Sequence, residues 1–363
     1  MRRLRLFTLI FLLAGCAPIP NLWGSSLPPA PTPTGLSQLP GPTLQAAAIP
    51  VTATFESTAT IPPATTEPPG VTPAATATVR VTPTPAGVSV KRVLIISFDG
   101  MRTDAIEAAP MPNLMELMKT SAYNLTNART IDYSSTSPSH ASMLSGLCME
   151  DHGMIYDKYF IYMGYSKGVD IFDLAHAAEM RTVMIVSKDK LRQLAEPETT
   201  DVFKVAYGEP AILRAVLPEI DKDFGLMLIH FAGPDLRGHK YGWMSGEYLK
   251  VLRIGDEALG TIFQELKDKG LFDSTLIIVT ADHGGHDKNH IGTVIEDYRI
   301  PWIAHGPGVA PQELTLRMYT MDTAATAAYA LGLPLQPDWD GIPIFQIFGE
   351  PQTVIHEKYP CKT

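Results

Sequence analysis

Five short apolar runs, RVLIISF, RTVMIVS, FGLMLIHFA, STLIIVTA and IPWIAHGP, recur between residues 92 and 307 and restrict the fold more than any other feature of the sequence. Each carries Val, Ile or Leu on both faces, the pattern of strands buried inside a parallel sheet. Helical periodicity fills the gaps. Leu252, Leu259, Ile262, Phe263 and Leu266 recur at helical spacings between the third and fourth runs, which predicts an amphipathic helix of about twenty residues. Further helices are expected from Met111 to Met118, Pro138 to Leu147, Ile171 to Met180, Pro210 to Leu217 and Asp322 to Leu331. Strands alternating with helices define an α/β domain, doubly wound, with a mostly parallel sheet flanked by helices. Its expected span is residues 89–350, followed by a tail at 351–363. About 260 residues suffice for one sizeable core.

Ligands of open α/β sheets bind beyond the carboxyl ends of the strands. Here RVLIISF runs into Asp99, FGLMLIHFAG into Asp235 with His239 four residues on, and STLIIVTA into Asp282 and His283. An Asp that caps the following helix explains any one of these. Three at one edge of one sheet point instead to a shared site. Oxygen and imidazole donors without thiolate suit Zn²⁺ and tolerate Mn²⁺, whereas Mg²⁺ and Ca²⁺ prefer oxygen shells. Two such ions about 4 Å apart clamp the attacking and leaving oxygens of a phosphoryl displacement.

The segment SSTSPSH precedes the helix expected at Pro138. Hydroxyls before a proline-bearing first turn make an ordinary N-cap. They also put nucleophiles beside free backbone N–H groups that favour an anion. On chemistry alone Ser134, Ser135, Thr136, Ser137 and Ser139 all qualify.

In order along the chain, ISFDGMR, STSPSHASMLSGL, EDHG, GPDLRGHKYGW and TADHGGH resemble the type I phosphodiesterase/nucleotide pyrophosphatase family of the alkaline phosphatase superfamily. The resemblance implies an alkaline phosphatase-like fold and two metal ions, expected as Zn²⁺. It assigns Asp99, Asp282 and His283 to one ion and Asp235, His239 and a later His to the other. His290 fits the family's spacing before IPWIAHGPGV, with His286 as its rival; Ile291 follows where relatives carry Gly. His152, in EDHG, reads as structural. A Thr followed two residues later by Pro and four later by His selects Thr136 as the nucleophile, forming a phosphothreonine that water then hydrolyses. Thr136 and His140 also stand where sulfatases of the superfamily need Cys or Ser and Arg, which argues against that chemistry.

Two substrate-side features depart from or extend the pattern. Asp157 stands where relatives carry Asn, and an ionised Asp accepts where an amide donates; it must point elsewhere, be protonated, or be offset by a lysine such as Lys158. Lys188 and Lys190, in SKDK, resemble lysines with which phosphomonoesterases hold extra phosphate oxygens, an electrostatic preference for the more charged ester. The other reading of SKDK is a solvated helix start.

The N-terminus, MRRLRLFTLIFLLAGCAP, has three arginines, an apolar run and a small-residue exit. That is an export signal, and LAGC resembles a lipobox, so residues 1–15 are expected to be removed and Cys16 lipidated. Loss of the three arginines moves the formal charge from −9 to −12, which disfavours nucleic-acid binding. The membrane is expected to be a partner only through the lipid. Residues 16–88 hold 16 of 31 prolines and only three charged side chains. Such a segment cannot bury a core and reads as a tether reaching about 50–200 Å. Cys148 and Cys361 either pair outside the cytoplasm or remain separate thiols. The expected function is an extracytoplasmic two-metal hydrolase of a small phosphate ester or nucleotide, first a phosphodiesterase. The alternatives are a broad phosphomonoesterase and an inactive surface-binding lipoprotein. No protein partner is demanded by any motif.

Overall fold

The computed structural model describes residues 90–362. The candidate signal at 1–15, Cys16 and the proline-rich stretch 16–88 lie outside the described residues. The strands are β1 (Arg92–Phe98), β2 (Ala122–Asn124), β3 (Ala128–Arg129), β4 (Thr182–Val186), β5 (Val202–Val205), β6 (Leu226–Phe231), β7 (Thr275–Thr280), β8 (Trp302–His305), β9 (Gln312–Glu313) and β10 (Met318–Tyr319). The helices are α1 (Ala105–Ala108), α2 (Pro112–Met118), α3 (Thr136–Ser145), α4 (Met149–His152), α5 (Ile171–Ala177), α6 (Glu209–Ile220), α7 (Gly233–Tyr241), α8 (Gly246–Asp268), α9 (Ile295–Tyr298) and α10 (Asp322–Leu331).

Eight strands form one sheet in the order β5-β4-β6-β1-β7-β8-β2-β9, and β10 pairs with β3 apart from it. The central strands β4, β6, β1 and β7 run parallel, with Val93 beside Leu226 on one side and Leu276 on the other. Their side chains are wholly buried, which is why these four runs are apolar on both faces. Helices cover the sheet: α8 packs against α7, α6 and α2, and α10 against α3, α5 and β1. Leu252, Leu259, Ile262, Phe263 and Leu266 form the buried stripe of α8. The sheet is therefore mostly parallel and flanked by helices.

The run IPWIAHGP departs from the parallel pattern. Its strand β8 lies antiparallel to β7, with Ile278 opposite Ala304. Burial on both faces, which made it look parallel, comes here from the sheet's interior position between β7 and β2. Helix α3 starts two residues before the expected Pro138, so Thr136 and Ser137 sit inside its first turn. The helix expected to reach Met180 stops at Ala177, before Glu179 at φ 57°. The strands β2, β3, β5, β9 and β10 span only two to four residues, too few for periodicity to register.

Cys148 and Cys361 form a disulfide across 213 residues. The last residues are held to the domain besides: the Asp132 amide donates to the Tyr359 hydroxyl at 3.0 Å, and His356 pairs with Asp322 at 2.7 Å.

Candidate active site

The order β4-β6-β1-β7 sets four strand ends side by side. Ser187 and Lys188 follow β4, Asp235 rides on α7 after β6, Asp99 follows β1, and Asp282 and His283 follow β7. Asp99, Asp282 and His283 form one group whose ligand atoms lie within 4.8 Å of one another; Asp235, His283 and His290 form a second. All five residues are buried. Asp99 Oδ1, Asp235 Oδ1, Asp282 Oδ2 and His283 Nε2 lack any hydrogen-bond partner. Buried polar atoms normally find one, so this donor set fits cations: three carboxylates and imidazoles with free lone pairs, converging.

The electrostatics agree. Burial, then the charge of Asp99, pushes the Asp282 carboxyl up to about 7. Burial would raise Asp99 too, but Lys188 and His230 outweigh it and hold that carboxyl well below its usual range. Burial, then His283, pushes His290 down to about 4, leaving it as the neutral imidazole that a metal requires.

His239 and His290 complete the wall. His239 Nε2 lies 3.2 Å from Asp235 Oδ1, and its Nδ1 contacts the Lys288 carbonyl at 3.0 Å, which leaves Nε2 free to ligate. His239 stands half exposed at the mouth. The ring of His290 stacks on His283 with centroids 3.9 Å apart. Its Nδ1 donates to the Ser134 carbonyl at 2.5 Å. His286 turns away and pairs with the buried Asp297 at 2.7 Å, so of the two rivals His290 faces the cluster. Trp243 packs edge-on against both His239 and His290. A Cβ on Gly285 would lie 2.2 Å from this indole, so the second glycine of DHGGH is required by close packing.

Of the five candidate hydroxyls, Thr136 alone reaches the carboxylates. Its Oγ1 lies 3.5 Å from Asp99 Oδ2 and accepts from Lys188 Nζ at 3.0 Å. Ser134 donates to the His290 carbonyl, Ser139 pairs with Thr130, and Ser135 and Ser137 have unpartnered hydroxyls. Ser135, at the N-cap, makes no side-chain cap, so capping does not account for this segment. Lys188 Nζ also lies 2.7 Å from both Asp99 Oδ2 and Asp235 Oδ2; the ammonium sits inside the cluster rather than on a solvated helix start.

Asp157 is placed beside the nucleophile candidate. Its Oδ1 accepts from the Ser137 amide at 2.9 Å and from Lys190 Nζ at 2.6 Å. Burial would raise its carboxyl, but Lys190 outweighs burial and lowers it. The offsetting lysine is thus Lys190 and not Lys158, and Asp157 is ionised. His152 is structural: Ser142 and the Met154 amide hold its ring.

Two buried histidines were not foreseen as site residues. His230 Nδ1 accepts from the Ser187 amide at 3.1 Å, so Nε2 carries the proton and donates to Asp99 Oδ2 at 2.9 Å. His140 Nδ1 donates to the Thr136 carbonyl at 2.8 Å, and Nε2 accepts from Ser97 Oγ at 2.9 Å. Burial, then His230, pushes His140 down to about 3. The signal for His230 was a lone imidazole inside the apolar run LMLIHF.

Fold and site together define the class: a parallel α/β sheet whose carboxyl edge gathers carboxylates, imidazoles and a hydroxyl, as in the alkaline phosphatase superfamily. The chain belongs to the type I phosphodiesterase/nucleotide pyrophosphatase family, whose model matches residues 93–168 and 186–305. It is similar to the bis(5'-adenosyl)-triphosphatase enpp4 of Xenopus laevis, 25% identical over 221 residues, covering 55% of this chain and 48% of that protein. It thus spans about half the length of the curated relatives it matches. Among solved structures it is similar to a 2-O GAG sulfatase (TM-score 0.62, 13% identity, covering 74% and 76% of the two chains). It is also similar to murine ectonucleotide pyrophosphatase/phosphodiesterase 5, solved with AMP (TM-score 0.57, 16% identity, 71% and 98%). At these identities the structures establish the fold.

Proposed function

We propose that this chain is an exported hydrolase of phosphate esters, a phosphodiesterase first, with Thr136 as nucleophile and two divalent ions, Zn²⁺ by ligand type. The observation that carries the reading is the convergence of four unpartnered buried ligand atoms, on Asp99, Asp235, Asp282 and His283, beside Thr136 Oγ1. The family match and the nucleotide-acting relative support it. Asp99, Asp282 and His283 would hold one ion, Asp235, His239 and His290 the other. Bound there, the ions supply Lewis acidity to the phosphoryl oxygens and lower the cost of ionising a hydroxyl.

The chain's own residues do the rest. His230 fixes the Asp99 carboxylate, and the His140 bond to the Thr136 carbonyl fixes the turn that carries the nucleophile. Thr136 Oγ attacks phosphorus as the bond to the leaving alcohol breaks. Water then cleaves the phosphothreonine, returning the hydroxyl and releasing phosphate or a monoester. The Thr136 amide at the start of α3 and the ammonium of Lys188 stabilise charge on the phosphoryl oxygens, while the Ser137 amide is taken by Asp157. The second reading, a phosphomonoesterase, is favoured by that lysine, 3.0 Å from Thr136 Oγ1.

The test is turnover of bis(nitrophenyl) and mono(nitrophenyl) phosphate with and without chelator. Faster chelator-sensitive cleavage of the diester supports the first reading, and of the monoester the second. No turnover by the zinc-loaded chain rejects both. Export and anchoring through Cys16 belong to the same proposal; metabolic labelling with a fatty acid should mark the chain and fail to mark Cys16→Ser.

A further inference from the structure

Sixteen large apolar side chains are exposed among the described residues, and eight of them fall within the fifteen residues from Ile155 to Val169. Ile161 and Tyr162 are 81% and 78% exposed, the highest values of the sixteen. Soluble surfaces seldom concentrate apolar groups in this way without something to cover them. The tip that bears them is held firmly from below. Gln193, itself buried, receives the Phe160 amide on Oε1 at 3.0 Å and donates through Nε2 to the carbonyls of Phe160 and Gly164 at 3.2 and 2.8 Å. The Ser166 amide donates to the Gln193 carbonyl at 2.9 Å. The base is stapled, and the short 3₁₀ turn Ile161–Met163 is carried outward with no buried residue in it.

The chemistry of the tip selects its occupant. Tyr156, Tyr159, Tyr162 and Tyr165 are amphipathic rings of the kind that sit at lipid headgroup depth, with Ile161 and Met163 between them. Lys158 and Lys167, both exposed, flank the tip, and the segment's one carboxylate, Asp157, is neutralised by Lys190. This leaves an excess of positive charge around an apolar tip on a chain of formal charge −9. A twofold contact with a second copy would set these lysines near their own equivalents. An anionic bilayer takes both the apolar and the cationic groups.

We propose that the loop Phe160–Gly164 is a membrane-docking tip, which seats Ile161, Tyr162 and Met163 in the interfacial layer of an anionic bilayer with Lys158 and Lys167 at the headgroups. No helix among the described residues is long and apolar enough to cross a membrane, so the contact is a shallow one. It is independent of lipidation at Cys16 and of the proposed hydrolysis. Because Lys190 lies on the same 3₁₀ segment as Gln193 (Asp189–Leu194), docking would bring the candidate site close to the lipid surface.

The experiment uses the chain from residue 17 onward, which lacks the candidate lipidated cysteine and keeps every described residue. It is floated with vesicles of phosphatidylcholine containing phosphatidylglycerol. The chain should float, less so with phosphatidylcholine alone or at high salt. Ile161→Asp with Tyr162→Asp should lower the vesicle-bound fraction about tenfold, and the milder pair Ile161→Ser with Tyr162→Ser should lower it less. Met115→Asp, at an exposed apolar position elsewhere, should leave it unchanged. Thermal melting should be the same for all of them. A chain that stays in the soluble fraction overturns the proposal, as does a double Asp variant that floats like the parent. A dimer that the substitutions split, without vesicle binding, overturns it in favour of a contact between copies.

Discussion

Among the places where the described residues bury carboxylates, two are built in opposite ways. At Glu219, near the end of α6, a carboxyl that is 1% exposed meets Arg181, Lys204 and Lys222. Burial would raise it, yet the bonds from Lys204 and Arg181 bring it down to about 2. Every charge there has a partner. At the sheet's carboxyl edge, Asp99 and Asp235 share one lysine, Asp282 beside them pairs with none, and one oxygen of each of the three has no partner. The first arrangement is closed and serves stability. The second is left open, and buried carboxylates with unmet lone pairs are an expense that folding alone gives no reason to bear.

That contrast breaks if the two clusters respond alike to mutation. The largest expected effect is on activity: Thr136→Ala should lower kcat by about 10³-fold or more with bound zinc retained, as for removal of a nucleophile. Retained turnover would show that another group attacks phosphorus. Asp282→Asn should lower kcat/KM by about 10²-fold or more, but should raise the melting temperature of the chelator-treated chain, because a buried like charge has gone. A fall in that melting temperature would place Asp282 with the structural carboxylates.

Glu219→Gln should do the reverse. It should destabilise the chain by about 2 kcal/mol, less than the ~3–5 kcal/mol of a wholly buried pair, because Lys204 and Lys222 are 41% and 60% exposed and regain water. Turnover per folded molecule should not change. The sign of the pH dependence follows from the lowered carboxyl. A folded value of about 2 lies below the ordinary 4.5, so the stabilisation is present above about 4.5 and lost as pH falls towards 2. The gap in unfolding free energy between parent and Glu219→Gln should therefore narrow across that window. A gap that stays constant would mean the carboxylate's charge contributes nothing.

The difference between the clusters also explains what could be read from the sequence. Asp99, Asp235, Asp282 and His283 were legible because each follows a run apolar on both faces, and strand ends share an edge whatever the strand order. The parallel central strands and the stripe of α8 were legible for the same reason: local periodicity records them. Lys188 was read from SKDK as a substrate-side lysine, but its contacts with Asp99 and Asp235 were not legible, because they depend on β4 lying next to β6, a pairing that the sequence does not state. His230, the partnership of Asp157 with Lys190 and the antiparallel direction of β8 failed on the same ground. Each is set by how segments distant in sequence come together, which no local pattern records. The Cys148–Cys361 bond joins points 213 residues apart, beyond any local signal.

The smallest expected effect tests the boundary between the two kinds of carboxylate. Asp157 is paired, like Glu219, but it lies at the open site, where its Oδ1 takes the Ser137 amide that a phosphoryl oxygen would otherwise use. If the pair is an obstacle to substrate, Asp157→Asn should raise kcat/KM for a nitrophenyl phosphate ester by about threefold, and more for the monoester than the diester, since Lys190 is then released to the more charged substrate. Lys190→Met in the same background should remove that difference between esters. A fall of about tenfold, ~1.4 kcal/mol, in Asp157→Asn would show the opposite. The carboxylate would then have a positive role, holding Lys190 and the first turn of α3 in place for Thr136.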